Sequence, residues 1–132
     1  MASELRVNTL KDASGNNSVA TSVVFSGTSK AWWQYDQVSD EIDGSYNVSS
    51  ISDDATGLYT ATLTNAQTSI TDRCVVVSSN HESGNSYARL SSIRHDHGGS
   101  YSTTAISIEV FYASYTTDDN NHNFGTVFGG LA

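Results

Sequence analysis

Proline is absent from this 132-residue chain, cysteine occurs once, and only six lysines and arginines stand against fourteen aspartates and glutamates. Each absence excludes something. With Cys74 as the lone thiol, no intrachain disulfide can form and the fold does not depend on oxidation. Cys74 sits in the run Arg73-Cys74-Val75-Val76-Val77, with no base nearby in the pattern, and reads as a small buried hydrophobe in a strand. Without proline there is no proline-stiffened linker, and nothing in the composition divides the chain in two.

The net charge of −8 and pI near 4.6 exclude a phosphate-backbone binder, which needs a clustered basic surface. Arg6, Lys11, Lys30, Arg73, Arg89 and Arg94 are scattered, so no nucleic-acid partner is expected. No apolar run approaches a membrane span, and Met1–Arg6 lacks a signal-peptide core. Synthesis in the cytoplasm without membrane insertion is the corresponding expectation. Enzyme signatures are missing as well: there is no P-loop, GxGxxG, GxSxG or HExxH. No pair of carboxylates is placed across a cleft, so the chain is not expected to be an enzyme.

What is present is small, polar and alternating. The chain holds 22 serines and 14 threonines, yet aromatics make up 10% and Val and Ile recur with a period of two. Disorder requires few aromatic and β-branched residues. No window carries the i, i+3, i+4, i+7 apolar spacing of a helix. The fold class is therefore all-β, an antiparallel β-sandwich of about eight strands set at the rhythm of such folds. Ser- and Thr-lined faces bury little apolar area, and pairing with copies of itself is the expected remedy.

The segments follow in order. Residues 1–18 form an N-terminal strand and turn, a candidate attachment segment whose apolar contacts are Leu5, Val7 and Leu10. Residues 19–132 form the sandwich body. Val19–Phe25 alternates as a strand, and Lys30–Tyr35 follows as another. In the latter Trp32 and Trp33 must face opposite sides, one to the core and one to a second surface. Asp36–Gly44 is an acidic loop; Asp36, Asp40 and Asp43 have carboxylates for a hard cation but not the spacing of an EF-hand, so a solvated loop is the better reading.

Tyr46–Ala66 reads as a hairpin, with arms at Tyr46–Ile51 and Leu58–Leu63 and a turn at Ser52–Gly57. Arg73–Ser79, apolar on both faces, reads as a central, doubly covered strand. Ser86–Ile93 and Thr104–Ser114 are further strands, and the apolar tail Phe124–Ala132 should pack against a sheet. His95 and His97 form a His-x-His pair. On a trimer axis the paired imidazoles of three chains would surround an octahedral site for iron or another transition ion. Gly98-Gly99 follows at once, and two surface-loop histidines without a cofactor remain the simpler reading.

Several ordered blocks carry a resemblance. ELRVNTLKDASGNNSVATS near the start, SKAW at Ser29–Trp32, the hairpin YNVSSISDDATGLYTATLTNA and the ending FGTVFGGLA are similar to tail-fibre-like virion structural proteins of marine tailed bacteriophages, of the cyanophage and pelagiphage type. The chain departs from their pattern between Trp33 and Ser45. The resemblance implies a virion protein with no catalytic residues: a homotrimeric tail-fibre or spike-like appendage module contributing to attachment to the host surface. The alternative is a capsid-decorating or other assembly protein without receptor binding; a carbohydrate-binding sandwich or small enzyme is a third. Because the family-like start falls at Glu4, the chain reads as the module without a shaft, able to join another virion protein through its first strand. The implied partners are further copies of itself, other virion proteins and a host polysaccharide or receptor. The expected contact surface comprises Trp32, Trp33, Tyr35, Asp36, Asp40, Glu41, His81 and Asp96.

Overall fold

A computed structural model describes residues 6–15, 17–80, 89–94, 102–112 and 116–132. The elements are strands β1 (Thr9–Lys11) and β2 (Ser18–Ala20), helix α1 (Thr21–Gly27), and strands β3 (Ala31–Asp36), β4 (Glu41–Tyr46), β5 (Val48–Ala55), β6 (Leu58–Leu63), β7 (Cys74–Ser79), β8 (Arg89–Arg94), β9 (Ala105–Tyr112) and β10 (Asn123–Phe128). All the strand pairings are antiparallel. The all-β expectation holds, in two four-stranded sheets ordered β4-β3-β10-β7 and β5-β6-β9-β8, with β1 and β2 as a separate pair.

The two larger sheets share one core. Ala31, Trp33, Tyr35 and Val127 from the first meet Tyr59, Ala61, Leu63, Ile106, Ile108 and Val110 from the second. The Trp33 indole N–H donates to the Tyr59 hydroxyl at 3.3 Å, and the Tyr35 and Tyr59 rings lie 5.1 Å apart. Aromatic rings supply the bulk that the serines and threonines lack. Burial raises the pKa of both Tyr35 and Tyr59; at Tyr35 the hydrogen bond to Asp40 adds to it.

The chain passes from one sheet to the other at Asn47, whose φ of 55° breaks strand continuity. Tyr46 ends β4 and Val48 starts β5, so the expected first arm Tyr46–Ile51 is divided between two sheets. The hairpin itself is real but tighter than expected. Ser52–Ala55 belong to β5, Ala55 pairs with Leu58, and only Thr56 and Gly57 make the turn. Gly57 has φ 67°, and a Cβ there would lie 2.4 Å from the Val110 carbonyl oxygen.

Four further expectations are corrected. Thr21–Gly27 is helix, not the continuation of a strand from Val19. The Thr21 N–H still donates to the Asn8 carbonyl at 3.0 Å and its hydroxyl to the Val7 carbonyl at 3.1 Å; from there the helix satisfies its backbone groups internally. The acidic stretch is a loop only as far as Asp40; Glu41–Tyr46 pairs with β3 as an edge strand, and exposed charge is normal on an edge. Strand β7 is an edge, not a doubly covered centre. Cys74 on it is exposed, because it shares with Val76 the face turned away from the core. The apolar tail, by contrast, is more than packed against a sheet: Asn123–Phe128 is an interior strand between β3 and β7.

Candidate functional site

Two cross-strand rows show how differently the two sheets treat their outer faces. In the second sheet, Ser52 pairs with Thr60, Thr60 with Ser107 and Ser107 with Arg94. This row is polar and internally bonded. The Thr60 hydroxyl donates to Asp54 at 2.5 Å and lies 2.8 Å from the Ser107 hydroxyl; Arg94 donates to Glu109 at 2.6 Å. Thr60 and Ser107 in this row are buried, and the hydrogen bonds between its members satisfy their polar groups.

The matching row of the first sheet runs Tyr46, Trp32, Thr126, Val76. Trp32 is 45% exposed, Tyr46 57% and Val76 51%. Alternation along β3 forces this. Ala31, Trp33 and Tyr35 point into the core, so Trp32, between two of them, must point out. The expectation that the adjacent tryptophans divide between core and surface is thus met, with Trp33 inside at 1% exposure. The Trp32 ring lies against Gly44, where a Cβ would approach its Cζ3 and Cη2 to 3.3 Å. Next along the same face, Gln34 donates from Nε2 to Asp43 Oδ2 at 3.1 Å. An exposed aromatic pair beside an amide and a carboxylate is the chemistry that receives a sugar ring: C–H faces on the aromatics, hydroxyls to the polar groups.

Sheet register brings together only part of the expected surface. Trp33 and Tyr35 are core side chains and leave it. Asp36 ends β3 and accepts the N–H groups of Val38 and Ser39 at 2.9 and 3.1 Å. Asp40, at a φ of 55°, accepts the Tyr35 hydroxyl at 2.8 Å, and Glu41 opens β4 on the solvent side. His81, Asp96, His95, His97 and Leu5 lie outside the described residues. Among the described residues, no three His, Cys, Asp or Glu side chains converge as a metal group. Val7 and Leu10 are exposed near the N-terminus, Leu10 paired with Val19.

Sequence reasoning missed Tyr46 and Val76 as partners of Trp32. Tyr46 was visible as an aromatic in a strand, but its position opposite Trp32 follows from the β3–β4 register, which a bulge between Gln34 and Tyr35 sets. No described helix is long and apolar enough to cross a membrane. Comparisons of the chain with protein-family models, with curated proteins and with solved structures find no match.

Proposed function

We propose that this chain is a structural protein of a bacteriophage virion: a β-sandwich appendage module of the tail-fibre or spike type, assembled as a homotrimer, that contributes to attachment to the host surface. The ordered sequence blocks named above support the virion reading, and the shared core of two antiparallel sheets is compatible with a sandwich. One observation carries the attachment role: Trp32 and Tyr46 stand opposite each other, exposed, on a sheet whose other face is locked into the core. A rigid platform of this kind loses little entropy when it binds, which favours stacking on a host surface polysaccharide.

The test is adsorption. Purified protein should bind host cells and compete with phage infection, and Trp32→Ala combined with Tyr46→Ser should abolish both while the protein stays folded. Absence of binding and of competition by the parent protein would sink this reading. The second reading, a capsid-decorating or other assembly protein without receptor binding, is favoured by a different observation: the apolar side chains of Val7, Leu10, Val23 and Phe25 are exposed near the N-terminus. Localisation of the protein on imaged virions separates the two.

A further inference from the structure

The chain is divided electrically as well as structurally. Of its six cationic residues, Arg6, Lys11 and Lys30 precede Ala31, together with only Glu4 and Asp12 of the fourteen acids. The first thirty residues are therefore net positive and the remainder strongly negative. The described part of this arm, β1, β2 and α1, buries none of its apolar side chains: α1 has no buried residue, with Val23 60% and Phe25 54% exposed. Lys30 folds back on the arm, bonding the Phe25 carbonyl and lying 3.9 Å over the Phe25 ring, while its backbone N–H donates to the Val127 carbonyl of the body at 2.7 Å.

The arm enters β3 at Ala31, and the acids gather where β3 ends. Asp36, Asp40 and Glu41 flank the turn there. Gln37 donates from Nε2 to Asp53 at 3.0 Å and from its backbone N–H to the Asn120 carbonyl at 3.0 Å, and Asp119 accepts the Gly57 N–H at 2.6 Å. Val38 and Ile42 stand exposed among these carboxylates, Val38 at 62%. At about 3.3 Å per residue, β3 sets the two ends roughly 17–20 Å apart.

We propose that the chain associates head to tail with a second copy of itself, the N-terminal arm of one seating on the acidic end of the next. The apolar side chains of the arm would cover Val38 and Ile42, and Lys11 and Arg6 would meet Glu41 and its neighbours. Two different complementary patches on one chain form a heterologous contact, which closes into a ring or extends as a filament. A closed ring of three would be the homotrimer proposed above. The inference rests on the self-association part of that reading and not on host attachment.

The test is the mass of the full chain by sedimentation across concentration and salt. Two surface variants probe the two ends, Leu10→Glu with Lys11→Glu on the arm and Val38→Lys with Glu41→Lys on the acidic end. All four side chains are exposed, and circular dichroism checks that each variant stays folded. The parent should associate and loosen as salt screens the charges. Each variant alone should associate about tenfold more weakly or worse, and an equimolar mixture should regain association. A parent that is monomeric throughout, an acidic-end variant that associates normally, or a mixture that stays apart would overturn the contact. Cell adsorption is not read in this experiment, so failure of the attachment role and failure of the contact are told apart.

Discussion

The side-chain oxygen of Asn47 accepts two hydrogen bonds from Asn65, from its backbone N–H at 2.8 Å and its side-chain amide at 2.9 Å. The Asn47 amide in turn donates to the Lys30 carbonyl at 2.9 Å. One side chain thus fixes the corner where the chain changes sheets, next to the point where the N-terminal arm joins the body. Asn47→Ala loses these bonds and keeps a left-handed backbone that alanine disfavours, at about 2–3 kcal/mol. Asn47→Gly loses the same bonds but relieves the backbone, and should be about 1 kcal/mol less destabilised than the alanine variant. Urea unfolding of both checks the order; equal losses would mean that φ at this corner carries no strain.

Adjacent tryptophans should behave oppositely. Trp33→Ala empties the centre of the core and should cost about 3–5 kcal/mol. Trp32→Ala removes an exposed ring and should change stability by about 0.5 kcal/mol while removing cell adsorption. A Trp32 variant that unfolds as readily as the Trp33 variant would show that Trp32 is structural.

Gly125 lies directly opposite Trp33, and a Cβ there would fall 2.0 Å from the indole Cζ2. Its strand is held on both sides and cannot recede. Gly125→Ala should therefore destabilise by about 3 kcal/mol. Combining it with Trp33→Phe, which shortens the ring, should cost less than the two single changes added together. Strict additivity in thermal or urea unfolding would remove the steric explanation.

Alkaline pH should unfold the protein through two tyrosines. Burial raises the pKa of Tyr35 and of Tyr59 above the ordinary value, so above about pH 10 the unfolded chain has released protons that the folded chain still holds. Stability is then fully present below about pH 10 and falls as pH rises beyond it. Phenolate absorbance followed beside circular dichroism should show part of the tyrosine signal appearing only with unfolding. Complete ionisation of a still-folded protein would contradict the burial of these hydroxyls.

Period-two alternation was enough to establish a β protein, because side chains on a pleated strand go to opposite faces whatever the strand pairs with. The same rule determined that Trp32 and Trp33 separate. It could not say which of them lies inside, since that depends on the second sheet supplying Tyr59 on one side only. Strand neighbours were equally hidden. Cys74 and Val76 look buried by hydropathy, and their place on the sheet face turned away from the core leaves them to solvent. Val19–Phe25 alternates as convincingly as true strands do, yet becomes helix from Thr21, where backbone groups are satisfied within the segment. Glu41–Asp43 looks like loop and becomes strand because β3 offers hydrogen bonds there. Local pattern therefore determined which residues can form strands and which faces they divide between. The tertiary structure decided which strands have partners, and so where the aromatic row of Tyr46 and Trp32 meets solvent, because hydrogen bonds and burial are supplied by residues far away in sequence.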